Sequence, residues 1–329
     1  MPLTSPPTNC LGLGLGAALL AWVGALAVPG TEGRAIDGPD AVAIKQDANR
    51  LQVMIDGQPF FTYHYDTAKP DLRRPQIHPL HGPAGEVLTQ LGEVPGQRKA
   101  HYWHTGLWIA HQKFTQGNNW QLDPDPNTKT PRYSGMRHRA FEAVRSGQTA
   151  RFVERLEWDN VAGDAILLEE TRTVSIPRRP ASRRVIDFEL VLQARREPVT
   201  LQATPYQLLA LRAVNALVPA FSKDAVITNS AGEVNPRDGA PAKWIDVSGR
   251  LGGKALGVSL FNHPGNFRHP TPCLNFANQT IGLSPTHREP YTIAAGKTLR
   301  LRFRVLVHAG TVADAQVAQE YEDYSAGKP

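Results

Sequence analysis

The feature that most constrains this chain is its punctuation. Beyond residue 40, apolar residues recur in short alternating runs, and each run soon meets Gly, Pro, Asn or Asp. Pro (27) and Gly (28) are abundant enough to cut the chain into strand-sized pieces rather than helices. Residues 137–145, the Ser146-Gly147 turn and residues 150–158 read as a hairpin. The Gly163-Asp164 turn leads into 166–176, where Leu168, Glu170, Arg172 and Val174 fall on one face and Leu167, Glu169, Thr171 and Thr173 on the other. Residues 184–194, 199–203, 243–247, 255–262 and 299–307 continue the pattern, and only 312–324 suggests a helix. The crossover helices of a parallel sheet are missing. The expected fold is therefore all-β: a large antiparallel β-sandwich with a short C-terminal helix.

The N-terminus is of another kind. Residues 11–28 are apolar, no charged side chain precedes Glu32, and Ala25-Leu26-Ala27 gives a small-x-small cleavage pattern. The expected organisation is a signal peptide over 1–27, a linker over 28–40 and a single domain over 41–329, in a periplasmic or secreted protein. Of the two cysteines, Cys10 lies in the leader, so Cys273 has no partner for an intramolecular disulfide. The formal charge is +6, and the basic clusters Arg178-Arg179, Arg183-Arg184 and Arg195-Arg196 read as solvated hairpin ends. Aromatic residues do not interleave with Lys and Arg as in an RNA-binding sheet, so no nucleic-acid partner is expected. No second apolar run reaches membrane length, so no membrane contact is expected beyond the leader.

Eleven histidines are the unusual chemical feature, and several fall in loops, where function concentrates. The densest group runs His101-Tyr102-Trp103-His104 to Trp108, with His111 following. Imidazoles there can bind a metal or exchange protons near neutral pH, and Trp103 and Trp108 offer flat apolar surface to a sugar. A second group, His263, Asn266, Arg268 and His269, sits in a loop stiffened by Pro264, Pro270 and Pro272. A third is His78 between Pro75 and Pro83. Glu170 should point inward from its strand, either as a general base or as the partner of Arg172 or Arg155. Phosphate loops, HExxH helices and GxSxG elbows are absent from the sequence, and no motif names a cofactor.

Several of these segments fall in a recognisable register. HPLHGPAGEVLTQ (78–90), HYWHTGLWIAH (101–111), GNNW (117–120), WIDVSG (244–249), GVSLFNHPGNFRHPTP (257–272) and PYTIAAGKTLRLRFRVLVHAG (290–310) together resemble the PmoA-like domain family over roughly residues 50–312. At Ala100 and Trp103 the pattern's Asp and second His are missing, and Thr105 stands where the pattern has Arg. The resemblance implies an exported bacterial protein met alongside sugar-processing oxidoreductases and hydrolases, and a sandwich of the galactose-mutarotase kind.

Three functional readings remain open at this stage. In the first, an enzyme acts on a sugar or glycoside as a lyase, epimerase or hydrolase. His101, His104, His263, His269 and Glu170 would be catalytic, and His78, Trp103, Trp108, Asn266 and Arg268 would bind a small-molecule or oligosaccharide substrate. In the second, the same cleft belongs to a non-catalytic carbohydrate-binding module. In the third, His101, His104 and another His hold a metal ion. All three require the histidine loops to converge on one hollow.

Overall fold

The computed structural model describes residues 41–67, 73–92, 103–122, 132–276 and 280–328. The expected leader and linker (1–40), and His101, lie outside the described residues. In chain order the strands are β1 (Val42–Gln46), β2 (Arg50–Ile55), β3 (Gln58–His64), β4 (Gln76–Leu80), β5 (Leu107–Ile109), β6 (Met136–Arg145), β7 (Thr149–Asp159), β8 (Ile166–Pro177), β9 (Arg183–Ala194) and β10 (Val199–Leu201). There follow β11 (Leu209–Leu211), β12 (Val226–Asn229), β13 (Ala240–Ala242), β14 (Trp244–Leu251), β15 (Lys254–Asn262), β16 (Thr271–Phe276), β17 (Thr280–Leu283), β18 (Tyr291–Ile293) and β19 (Thr298–Ala309), then the helix α1 (Val317–Ser325).

Two large antiparallel sheets form the sandwich. One has nine strands in the order β1-β2-β3-β4-β5-β11-β17-β16-β13, and the other has eight in the order β12-β14-β15-β19-β9-β8-β7-β6. The small pair β10–β18 stands apart from both. The long hairpins β6–β7 and β7–β8 fall where turn residues and alternation place them. On the described residues the all-β reading holds, and no helix there is long and apolar enough to cross a membrane.

The inner faces are apolar with one charged exception. Along β8, Leu168, Glu170, Arg172, Val174 and Ile176 are all buried, while the residues between them are part-exposed. Glu170 accepts from Trp158 Nε1 at 2.7 Å and from Arg172 Nε at 2.6 Å. Arg172 Nη1 donates to Tyr63 Oη of the opposite sheet at 3.1 Å. The Tyr63 hydroxyl in turn donates to Glu154, whose second oxygen meets His138 Nδ1 at 2.7 Å. Burial alone would lower the Arg172 pKa, but Glu170, Tyr63 and Glu154 together raise it, so the guanidinium is charged inside the core. Glu170 is thus not a catalytic base: its two oxygens are engaged between the sheets, in the ion pair that was its alternative reading.

The outer face of the eight-stranded sheet carries the helix. Val317, Tyr321 and Tyr324 pack on Val185, Trp244, Phe261 and Leu306. The helix begins at Val317 rather than at 312, because Thr311 and Asp314 close a turn through their side chains and Gln316 has φ 51°. Arg179 and Arg183 reach the buried Glu320 at 2.6 and 2.5 Å, and buried Arg184 donates to the Pro59 carbonyl at 2.7 Å. These arginines therefore do docking work and are not merely solvated hairpin ends.

Removing one partner of a buried ion pair strands the other's charge, at a cost of about 3–5 kcal/mol. Glu170→Ala is expected to lose stability in that range by chemical denaturation. Glu169→Ala, one residue along on the part-exposed face beside Arg195 (3.1 Å), is expected to lose less than about 1 kcal/mol. Equal losses would show that the core charge network is not what the sheets depend on.

Candidate functional site

The outer face of the nine-stranded sheet is built around Trp108. Its neighbours in β5, Leu107 and Ile109, point inward toward Tyr63, Arg172 and Phe188. By strand alternation Trp108 points outward. Across the sheet Trp108 registers with Ala210, and Ala210 with Gly282. These small residues leave a floor on which the Gln207 side chain lies: a Cβ at Gly282 would strike Gln207 and the Leu209 carbonyl. Gly106, at φ 65°, allows the 103–106 loop to close onto β4, where a Cβ would run into the Ile77 carbonyl.

Over this floor stand four aromatic rings and an imidazole. His104 stacks on Trp108 with centroids 5.8 Å apart and meets the edges of Trp120 at 5.1 Å and Trp103 at 6.2 Å. Trp120 continues to Tyr206 at 4.6 Å. Trp108, Trp120 and His104 are buried, whereas Trp103 and Tyr206 are half-exposed and bring the cluster to the surface.

Arg74 holds these loops together. Its guanidinium lies 5.2 Å from the Trp108 ring centroid and donates to the carbonyls of Asn119, Trp120 and Trp103. Burial pushes its pKa down to about 9, and among the described residues no carboxylate pairs with it. Burial also lowers nearby Arg212, to about 10.

The cluster is under-bonded. Trp108 Nε1, Trp120 Nε1, Asn119 Nδ2, Arg74 Nε and Gln207 Oε1 are buried without a hydrogen-bond partner. Each such group costs free energy unless something fills it. Flat rings, four N–H donors and one carbonyl acceptor suit a ligand that is itself part apolar and part hydroxylated.

The structure does not bring the three histidine loops together. His104, Trp103 and Trp108 share the site above. His78, on the adjoining strand β4, borders Gly106, and its Nδ1 is bonded to Thr89 Oγ1 at 3.0 Å. Burial, with His64 and His81, lowers the His78 pKa to about 4, so the ring is neutral near pH 7. His263 lies instead on the outer face of the other sheet, among Arg302, Arg304 and Tyr324.

The remaining members of the second loop are structural. His269 Nδ1 accepts from Asn262 and its Nε2 meets Tyr321 Oη at 3.3 Å, which ties it to α1. Asn266 bonds the Asn262 side chain and both backbone groups of Arg302, leaving nothing to orient a substrate. Arg268 is spent on the carbonyls of Pro285, Glu289 and Pro290. Among the described residues no group of three or more His, Cys, Asp or Glu is placed to hold a metal ion.

Arg74, Tyr206 and Gln207 carry no local sequence signal for the site, whereas Asn119 and Trp120 stand in the GNNW segment (117–120).

Residues 50–322 match a family of unknown function, DUF6807. The chain belongs to that family. This corrects the PmoA-like resemblance drawn from the motifs, since nothing in the match indicates a PmoA-like domain. No curated protein sequence matches this DUF6807 chain. Among solved structures it is similar to a mutarotase-like protein from Salmonella typhimurium, with 10% identity, TM-score 0.33, and 82% of this chain and 94% of that one covered. It is also similar to a kojibiose phosphorylase-like protein from the human microbiome, at 8% identity and TM-score 0.32, covering 59% of this chain and only 25% of that one. A variant glycoside hydrolase family 97 enzyme from a Pseudoalteromonas strain follows at 6% identity and TM-score 0.26, covering 82% and 34%.

His111 gives the site a measurable pH signature. The ring is fully buried, with Nε2 on Thr286 Oγ1 at 2.9 Å and Nδ1 accepting from the Lys113 N–H. Burial pushes its pKa from the ordinary 6.5 to about 4. Between those values the unfolded chain binds the proton and the folded one does not. Its contribution is therefore complete above pH 6.5 and is lost as pH falls toward 4, amounting to about 3 kcal/mol. His111→Gln should flatten the dependence of Tm on pH in that window. A slope identical to that of the unaltered protein would exclude the assignment.

Proposed function

We propose that the protein is an exported carbohydrate-active protein that receives a sugar against the Trp103–Trp108–Trp120–Tyr206 face. The observation that carries this reading is the set of buried, unpartnered N–H groups beneath two half-exposed aromatic rings. A sugar ring presents C–H faces to aromatic surface and hydroxyls to donors, so it answers both features together. His104 stands within the same cluster and is the imidazole positioned to exchange a proton with a bound sugar.

Acid–base turnover asks for more than this imidazole. Glu170, the carboxylate first assigned to that task, belongs to the core. Recognition of a sugar is therefore the activity that the described residues support most directly, with proton transfer by His104 as its catalytic extension.

Purified protein titrated with neutral mono- and oligosaccharides and keto-sugars, followed by tryptophan fluorescence and calorimetry, is expected to show saturable binding. Trp103→Ala should weaken it about tenfold, which is about 1.4 kcal/mol. Trp108→Phe, which removes an N–H lacking a protein acceptor but also leaves a cavity in the buried cluster, should weaken sugar binding and lower stability by about 1–3 kcal/mol. His104→Ala should abolish any turnover seen by NMR. A panel in which no sugar produces heat or fluorescence change would overturn the reading.

A further inference from the structure

The other outer face carries a second concavity, unrelated to the aromatic cluster. A groove of about 440 Å³ lies over β7, β8, β9 and β19, and its end is closed by Tyr324 of α1 and by His263. Such a volume is in the range of small-ligand sites.

Strand register explains its lining. Arg304 pairs with Asp187, Asp187 with Ser175, and Ser175 with Arg151, which makes one row across four strands. The next row holds Arg302, Glu189 and Thr173. All project from the face opposite the core.

The charges do not cancel. Asp187 is held in a two-point bond by Arg304, at 2.7 and 2.9 Å, and the Arg304 side chain is only 5% exposed. Glu189 faces Arg300 at 3.7 Å, outside the groove. Both carboxylates of the groove are thus committed. Among the described residues Arg302 and Arg151 remain with no carboxylate partner, and the side-chain hydrogen bond of Arg151 there is to Thr173 Oγ1 at 3.5 Å. Arg304 Nη1 is buried beside the Tyr324 ring without a hydrogen-bond partner among the described residues, so the floor keeps one unmet donor. His263 Nδ1 accepts from the Gly265 N–H, which leaves Nε2 to carry the proton as a further donor.

We propose that this groove is an anion site for a small molecule bearing a tetrahedral dianion, a phosphate ester being the class that fits. Arg151 and Arg302 would clamp the dianion from two sides, with the hydroxyls of Thr173 and Ser175 beneath it. Planar guanidinium forks match such oxygens in pairs. The site does not rest on the sugar reading of the opposite face.

The test uses the whole protein, titrated with inorganic phosphate, inorganic sulfate, a phosphorylated monosaccharide and its neutral parent sugar, by calorimetry and by 31P NMR. Saturable binding of phosphate and of the phosphorylated sugar is expected, each weakened at least tenfold by Arg302→Gln and by Arg151→Gln. Arg250→Gln removes the same charge from β14 of the same sheet, outside the groove and away from its carboxylates, and should leave binding intact. Sulfate binding as tightly as the phosphorylated sugar would support the site and name a free inorganic anion as its occupant. Equal losses in the 250 and 302 variants would mean diffuse attraction to a basic surface and would overturn the proposal, as would absence of binding by all three anions. Far-UV circular dichroism and Tm of each variant separate a lost site from a lost fold.

Discussion

Everything in this molecule is arranged around a charge that the core has to keep. Arg172 lies between two apolar sheets, balanced by Glu170 on its own strand and reached across the interface by Tyr63, with Glu154 and His138 behind. A buried network of this kind adds little stability over well-packed apolar residues, but it tolerates few alternatives, because each member left alone is costly. It fixes which face of β3, β7 and β8 turns inward. Once those faces are committed, polar chemistry has only the two outer surfaces to occupy.

The outer surfaces are covered differently, and the difference follows from local composition. On the nine-stranded sheet the central strands are short and carry small residues, Ala210 and Gly282, so loops can lie directly on the sheet. Those loops bring the indoles. On the eight-stranded sheet the strands are long and charged on their outer face, and a helix covers only one end of them. What lies beyond the helix is a strip of arginines and hydroxyls rather than a box of rings. The buried Asp246, which accepts from Ser259 at 2.7 Å and His308 at 2.9 Å, belongs to this second face.

Much of the fold could be read from residue order. Alternation over 166–176 put Leu168, Glu170, Arg172 and Val174 on one face, and the structure agrees. Turn residues marked the central hairpins. The site was legible only in part. His104, Trp103 and Trp108 are close in sequence, and local geometry keeps them together. His263 resembles them in type and in its Pro- and Gly-rich setting, but which layer a loop serves is decided by strand order, and strand order is a tertiary fact. Arg74 illustrates the same limit: it carries no local signal, and it matters only because loops far apart in the chain meet around Trp108.

Polar loop residues can either bind a ligand or bind the loop itself, and counting acceptors separates the two roles. Asn266 and Arg268 look as functional in sequence as His104, but their donors are consumed by backbone carbonyls of neighbouring segments. Trp108, Trp120 and Asn119 keep donors that nothing among the described residues consumes. A purely structural aromatic core has no use for indole N–H groups, since phenylalanine would fill such space without their desolvation cost. Retaining several of them beneath half-exposed rings makes sense when the missing acceptors arrive from outside the chain.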